Sequence, residues 1–228
     1  MFSKSKRQQL WVPLIEKAFA KLMGSYANIE SGRLVEALGL LTGAPCEDLS
    51  LRSGRDTGEG GSESEPLDTE LLWGKVVSYD TAGFLMGASC SSRGPRGEDS
   101  RSHRERAAAA EAMGLITDHA YSLLAVMTVG STRLVKLRNP WGRGEWRGDF
   151  APGSHSWTAA LRAEAARTHV AGADGSVEGG HGEFWMSWGD FLTYYATLTA
   201  CKLRPDWMER RIALPNELGQ RGMLGSYT

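Results

Sequence analysis

Cysteine is scarce in this chain of 228 residues, which contains only Cys46, Cys90 and Cys201. Their number is odd, their spacing is wide and no CxxC pair occurs, so the sequence supports neither a disulfide framework nor a cysteine-based zinc site. A reducing compartment is the simplest interpretation, because disulfides are rare there. The opening stretch, MFSKSKRQQLW, has no apolar segment of the kind that directs secretion. We therefore expect a cytoplasmic location.

Long apolar runs and a strong net charge are also lacking. No apolar run approaches the ~20 residues that a membrane-spanning helix needs, so we expect no membrane span. A net charge of −1 gives no electrostatic basis for binding nucleic acid or an anionic membrane. The hydrophobic content of 41% is ordinary for a globular protein. The length allows one large domain or two small ones.

The spacing of apolar residues predicts helices and strands that are interrupted by polar inserts. Residues 11–23 carry one apolar stripe, which predicts an amphipathic helix packed in the core, ended by Gly24. Polar composition predicts loops at about 44–66 and 91–106, the second leading into a helix at 104–112, with His103 solvated. We expect one domain over 1–204 and a C-terminal tail over 205–228. The remaining predicted elements are helices in 31–42, 66–79 and 157–167, strands in 83–90 and 184–188, a helix capped by Ser187, and a strand in 198–203.

The stretch 114–148, GLITDHAYSLLAVMTVGSTRLVKLRNPWGRGEWRG, predicts a β-hairpin that turns within 128–132. Apolar residues alternate on both arms, and Gly130 is free to adopt a positive φ in the turn. With the hairpin centred on Val129, His119 stands directly opposite Asn139 on the same face. Directly opposed residues have Cβ atoms about 4.5–5.5 Å apart. A slip of one residue would put the two side chains on opposite faces.

A histidine beside an asparagine has a specific chemical use. An imidazole that takes a proton from a thiol and later returns it needs its tautomer and ring plane fixed by a second group. A neutral carboxamide does this without adding a negative charge. The same two residues are also compatible with an ordinary core histidine and with an asparagine that simply ends a strand before Pro140.

Four segments resemble the calpain family of papain-like cysteine peptidases: WVPLIEKAFAKLMGSYANIESG, DHAYSLL, LVKLRNPWGRGEW and GEFWMSWGDFLTYY. They occur in the family's order and span residues 11–203. The resemblance implies an α+β fold, the second lobe of a papain-like peptidase, with a twisted, mostly antiparallel sheet or half-barrel flanked by helices. It also implies that His119 and Asn139 are the catalytic histidine and asparagine, and that Trp141 is the tryptophan that covers them.

The family's nucleophilic cysteine lies in a separate N-terminal lobe, within a motif resembling Q-x-x-x-G-D-C-W that this chain does not contain. A histidine–asparagine pair alone does not cleave peptide bonds: it needs a thiolate whose pKa is lowered by a helix N-terminus and by the adjacent imidazolium. We therefore expect a fragment of a cysteine endopeptidase that is inactive alone, acts on protein substrates, and needs a Cys-bearing lobe in cis or in trans. The alternative is a non-catalytic binding or regulatory module derived from the lobe.

The resemblance also implies a calcium site on this lobe, and here the site looks partly degraded. Calcium prefers about 6–8 oxygen ligands. Glu145 and Glu183 match acidic positions of the two ligand loops, although both are also compatible with solvated loop carboxylates. Pro152 and His181 stand where the family has aspartates, and Asp149 is a partial substitute. We therefore expect calcium to bind weakly or not at all.

Overall fold

The computed structural model describes residues 10–52, 67–92, 100–142, 146–167, 182–204 and 206. Within these ranges the chain forms six strands and six helices, together with a short 3₁₀ turn at Ala27–Ile29. The strands are β1 (Cys46–Ser50), β2 (Leu85–Cys90), β3 (His119–Val129), β4 (Thr132–Arg138), β5 (Glu183–Ser187) and β6 (Tyr195–Cys201). The helices are α1 (Trp11–Leu22), α2 (Leu34–Thr42), α3 (Thr69–Thr81), α4 (Ser100–Ala112), α5 (Ala159–Arg167) and α6 (Trp188–Tyr194).

The described strands form one sheet in the order β1-β6-β2-β3-β4-β5. Each neighbouring pair in this order is antiparallel. Helices pack against an antiparallel sheet, which confirms the predicted α+β class. The β3–β4 hairpin lies between β2 and β5, so the elements that carry His119 and Asn139 are supported on both sides.

The sheet buries apolar side chains on both faces. One face carries the larger core, where Trp73 of α3 and Trp188 of α6 meet with ring centroids 5.0 Å apart. The opposite face carries a smaller core under α5 that includes Leu134 and Trp157. Leu134 and its neighbour Val135 both have 0% exposure although they point to opposite faces. This explains why apolar residues occupy both parities of the hairpin sequence.

The hairpin was predicted correctly, but its predicted register was wrong. The turn is only Gly130–Ser131, with Gly130 at φ 60°, and the ladder runs from Val129 opposite Thr132. The register then shifts between Leu123 and Ala125, so that Leu123 pairs with Leu137. Without this bulge the ladder would bring Ser122 opposite Asn139 and turn His119 to the other face. Because of the bulge, the side chains of His119 and Asn139 lie on the same face of the sheet, and His119 is a diagonal neighbour of Asn139.

Two predictions about the N-terminal third were also wrong. Helix α1 forms as expected and ends before Gly24 at φ 95°, but it is not core structure. Of its residues only Ala20 is buried, whereas the apolar side chains of Trp11, Leu14 and Leu22 are 61%, 62% and 66% exposed. The sequence CEDLS, predicted as loop, forms the edge strand β1 instead.

Each of the two acidic residues of strand β1 forms an ion pair with a basic side chain. Asp48 lies 2.7 Å from the Arg33 guanidinium, and Glu47 lies 3.2 Å from the Lys202 ammonium. Opposite-charge pairs of this kind offset part of the cost of placing acidic side chains in a strand. The rest of the predicted insert, residues 53–66, lies outside the described residues.

Helix α6 begins as the sequence predicts. The Ser187 hydroxyl oxygen accepts the Asp190 backbone N–H at 3.0 Å and donates to the Asp190 carboxylate at 2.6 Å. The helix therefore starts directly at the end of β5.

None of the described helices combines the length and apolarity needed to cross a membrane. The cytoplasmic location stays a prediction.

Candidate active site

The imidazole of His119 meets the carboxamide of Asn139. His119 is the first residue of β3, and Asn139 directly follows β4. The distance between His119 Nε2 and Asn139 Oδ1 is 3.0 Å. Diagonal neighbours in an antiparallel pair have Cβ atoms about 7 Å apart, and the His119 and Asn139 side chains are long enough to meet across this distance.

The Asn139 side-chain oxygen accepts two hydrogen bonds, and this determines how the amide is oriented. The backbone N–H of Trp141 donates to Oδ1 at 3.0 Å, in a turn closed by the side chain. An amide NH₂ in that place would face another donor, so the oxygen must point toward His119. Nε2 of His119 therefore carries a proton and donates it to Oδ1. In the neutral ring, the lone pair that can accept a proton is on Nδ1.

The backbone of Asn139 is anchored through both its N–H and its carbonyl. The N–H donates to the Gly182 carbonyl at 2.9 Å, and the carbonyl accepts the Gly142 N–H at 2.9 Å. Asn139 is fully buried, with 0% exposure. Gly182 has φ +83°, and a Cβ built on it would lie 2.7 Å from the Asn139 carbonyl oxygen. Only glycine fits this close approach without movement of the site.

Two aromatic rings surround the His119 imidazole. The Trp141 ring centroid lies 4.3 Å from that of His119, at an interplanar angle of 41°. The Tyr121 ring meets the imidazole edge-on, with centroids 5.2 Å apart. Trp141 is 58% exposed, so it covers the pair from the solvent side, while the buried Tyr121 lies behind it. The structure thus brings His119, Asn139 and Trp141 together, and their catalytic roles stay a prediction.

Sequence reasoning missed Tyr121 as a neighbour of the site. The sequence did contain a sign of this contact: Tyr121 follows His119 by two residues on the same strand, so both side chains lie on one face. The Tyr121 hydroxyl oxygen accepts the Ile116 N–H at 2.8 Å. Burial raises the pKa of Tyr121 to about 12, so the ring is a neutral, fixed wall behind the imidazole.

The residue before His119 is held by a small polar cluster. Asp118 has φ 52°, an unusual backbone conformation for a non-glycine residue. Its carboxylate accepts the buried Ser92 hydroxyl at 3.0 Å. The Ser92 hydroxyl also lies 3.4 Å from His103 Nε2. The prediction that His103 is solvated is therefore wrong, because α4 turns its ring toward the start of β3. Its Nδ1 is buried, and no described residue forms a hydrogen bond with it.

All three cysteines lie within the described residues, and none is placed as a nucleophile for His119. Cys90 pairs with His119 across β2 and β3, but it is only 1% exposed. Burial is the main cause that raises the pKa of Cys90 to about 12, so its thiol stays protonated at neutral pH. Cys201 pairs with the opposite end of β2, five residues or roughly 17 Å along the strand.

Comparison with known proteins identifies the family. The family model described as calpain family cysteine protease matches residues 1–202. The chain belongs to the calpain family of cysteine proteases. It is 34% identical over 209 residues to the calpain-type cysteine protease ADL1 of Oryza sativa subsp. japonica, and this match covers 91% of the chain. It is 30% identical to Calpain-5 of Caenorhabditis elegans over 89% of the chain.

The chain spans only part of these family members. The match covers 8% of the rice protein, 32% of the nematode Calpain-5 and 26% of Calpain-9 of Rattus norvegicus. Membership in the family therefore establishes the kind of domain. The activity of the whole relatives does not pass to this chain by similarity alone.

The residues expected to hold calcium do not form a calcium site in the described part of the chain. Glu183 is paired with the ammonium of Lys136, at 3.0 Å between Oε2 and Nζ, and Lys136 is itself buried. The Asp149 carboxylate accepts the Ser156 hydroxyl at 2.8 Å. No group of three or more His, Cys, Asp or Glu suited to a metal occurs within the described ranges. Glu145 and His181 lie outside those ranges.

A solvent-open groove of about 980 Å³ lies beside the Asp149 carboxylate, lined by Gly142 and by loop residues between Trp146 and Ser156. Its lining includes Arg147 as well as Asp149. Arg147 brings a cationic guanidinium to the groove, and the Lys136 ammonium is paired with Glu183, so a positive charge opposes a divalent cation at each of these two places. The described donor set therefore does not fit calcium, and no chemical step is assigned to a metal.

Proposed function

We propose that this chain supplies the histidine and asparagine of a calpain-type cysteine endopeptidase, and that it is inactive without a Cys-bearing lobe. The observation that carries the proposal is that Asn139 Oδ1 accepts two hydrogen bonds, one from His119 Nε2–H and one from the Trp141 backbone N–H. A buried carboxamide that directs one imidazole nitrogen leaves the other nitrogen for proton transfer.

In the assembled enzyme, His119 Nδ1 takes the proton from a thiol that the other lobe provides. The resulting imidazolium and thiolate stabilise each other, and the sulfur attacks the carbonyl of an extended protein substrate. His119 then returns the proton to the leaving amine. Asn139 keeps the ring in place through both transfers, and Trp141 shields their hydrogen bond from water, which strengthens it.

The Cys-bearing lobe is proposed to dock against apolar surface that this chain leaves exposed. On α1, Trp11, Leu14 and Leu22 are each more than 60% exposed. Surface of this kind is typical of a contact with another domain or chain. The partner lobe is supplied either by the same polypeptide or by a separate one.

The proposal is tested by sequencing the transcript upstream of Met1 and by expressing the longest in-frame product. We expect a Q-x-x-x-G-D-C-W motif upstream, and casein cleavage by the longer protein. His119→Ala should lower its kcat by at least about 100-fold, because general acid–base catalysis contributes this much or more. His155→Ala is the matched control, since His155 is exposed in a loop and should leave kcat unchanged.

The isolated chain should show no cleavage, and a thiol-reactive peptide inhibitor should not label it stoichiometrically. Stoichiometric labelling, or full activity of the His119→Ala variant, would contradict the proposal.

A non-catalytic binding module is the second candidate, and the exposed apolar residues of α1 favour it as well. It predicts a transcript that starts at Met1 and a stable complex with a protein partner that lacks the cysteine motif. In that case His119→Ala would leave partner binding unchanged, whereas Trp11→Ala would weaken it.

For calcium, we propose that this lobe binds the ion only weakly or not at all. The Lys136 ammonium at Glu183 and the proline at position 152 support this proposal.

A further inference from the structure

Two of the three cysteines face each other across neighbouring strands at the edge of the sheet. Cys46 of β1 and Cys201 of β6 are directly paired in the antiparallel register. Side chains of directly paired residues point to the same face. The two cysteine side chains therefore lie side by side on one face of the sheet, and the Cys46 thiol donates to the Ala44 carbonyl at 3.3 Å.

The ladder around this pair shows which kind of antiparallel position it occupies. The Lys202 N–H donates to the Pro45 carbonyl at 2.8 Å, and the Leu51 N–H donates to the Ala196 carbonyl at 2.9 Å. Hydrogen-bonded and non-hydrogen-bonded pairs alternate along an antiparallel ladder. The pair next to Pro45 and Lys202 is therefore a non-hydrogen-bonded pair, in which side chains come closest.

That position meets the distance requirement of a disulfide. Cα atoms in a non-hydrogen-bonded pair are about 4.5 Å apart, and disulfides join Cα atoms about 4.4–6.8 Å apart. The backbone therefore needs little or no movement for the bond to form. No comparable partner exists within the described sheet for Cys90, which pairs with His119 and Tyr195 on its two sides.

The two thiols differ in access to solvent. Cys46 is partly exposed, whereas Cys201 has 0% exposure and lies 3.3 Å from the Thr42 hydroxyl. Burial raises the pKa of Cys46 to about 12, and the neighbouring Cys201 and Asp48 add to this effect. Cys46 is therefore protonated at neutral pH, and its exchange with other disulfides is slow.

We propose that Cys46 and Cys201 are a redox modification site that forms a reversible disulfide between β1 and β6. The oxidant is a small-molecule disulfide such as glutathione disulfide. The Cys46 thiolate attacks one of its sulfur atoms, which gives a mixed disulfide and releases one glutathione thiolate. The Cys201 thiolate then attacks Cys46 Sγ and releases the second glutathione. The two cysteines lose two electrons and two protons, and glutathione disulfide gains them.

The disulfide would attach the edge strand β1 covalently to the sheet. Because the two residues are far apart in sequence, the bond closes a long loop in the unfolded chain. We expect oxidation to raise the Tm by roughly 5–10 °C. This inference is independent of the proposed proteolytic role, since the pair lies far from His119.

The experiment treats the fully reduced chain with glutathione disulfide, blocks remaining thiols by alkylation and maps the peptides by mass spectrometry without reduction. We expect a Cys46–Cys201 peptide, a raised Tm, and reversal of both by dithiothreitol. The rate should increase about tenfold per pH unit below the thiol pKa. Cys90→Ala, the matched control, should form the same bond, and Cys46→Ser should show neither the peptide nor the rise in Tm.

Either of two results would overturn the proposal. One is that all three thiols stay free in the wild-type chain. The other is that Cys46 stops at a stable mixed disulfide with glutathione. Both are read from the wild-type protein, so the conclusion does not depend on the folding of a variant.

Discussion

The close approach of Gly182 to Asn139 leads to a sharp prediction about the site. Gly182→Ala places a Cβ 2.7 Å from the Asn139 carbonyl oxygen and 3.0 Å from Gly142 Cα, at a φ of +83°. Both contacts are with backbone, so neither is relieved by rotating a side chain. The variant should therefore lose stability and also displace Asn139 from His119.

The magnitude follows from two separate costs. A side chain in the left-handed region costs about 1–2 kcal/mol, and overpacking against a fixed neighbour costs about 1–3 kcal/mol more. A total of about 2–5 kcal/mol lowers the Tm by roughly 4–20 °C in a chain of this size. Gly153→Ala is the matched control, because Gly153 has φ +74° and, apart from Gly153 itself and its two chain neighbours, no described residue has a heavy atom within 4 Å of the alanine methyl position. Gly153→Ala should cost only the backbone strain, which corresponds to a fall in Tm of roughly 2–8 °C.

The assay is differential scanning calorimetry combined with NMR of the His119 ring protons. Those protons lie close to the Trp141 ring, whose centroid is 4.3 Å from the centroid of the imidazole, so their chemical shifts report the geometry of the pair. Only Gly182→Ala should change them. Equal losses of Tm in both variants, with the His119 resonances unmoved, would refute the argument that Gly182 holds the site in place.

Three further predictions concern catalysis, metal binding and thiol reactivity. In the complete enzyme, Asn139→Ala should lower kcat roughly 10- to 150-fold, the value of a hydrogen bond to a charged group, and an unchanged kcat would exclude the positioning role. Isothermal titration of the isolated chain with calcium should give a Kd in the millimolar range or no heat, and micromolar binding would contradict the reasoning from Lys136 and Glu183. Because burial raises the pKa of Cys90 to about 12, its alkylation at pH 7 should be far slower than that of a free thiol and should accelerate with pH; rapid labelling at pH 7 would show an accessible thiolate.

Local pattern was sufficient for most elements, whereas the roles of His119, Asn139 and Trp141 came from the family resemblance and stay predictions. The alternation on both arms and the glycine in the turn predict the hairpin, and the Ser187 hydroxyl predicts the start of α6. The positions of His119 and Asn139 relative to each other depend on the register of β3 against β4, and the apolar pattern of the sequence does not determine that register. The bulge between Leu123 and Ala125 has no distinct sequence signal, because apolar residues face both sides there.

Elements whose environment is distant in sequence were predicted less well. The stripe on α1 predicts a helix but does not say what covers it, and in this chain its apolar residues are exposed. Strand β1 looked like a loop because its charges are neutralised by Arg33 and Lys202, which lie outside it. His103 looked solvated for a similar reason, since its neighbour Ser92 lies across a segment rich in charge.

Position 141 performs two tasks through two different parts of the same residue. The indole covers the imidazole, while the main-chain amide dictates which way the carboxamide points and therefore which imidazole nitrogen holds its proton. Most replacements at this position would thus open the pair to water and leave the tautomer unchanged. Trp141→Pro is the exception, since proline has no N–H to give, and it alone would release the amide to rotate.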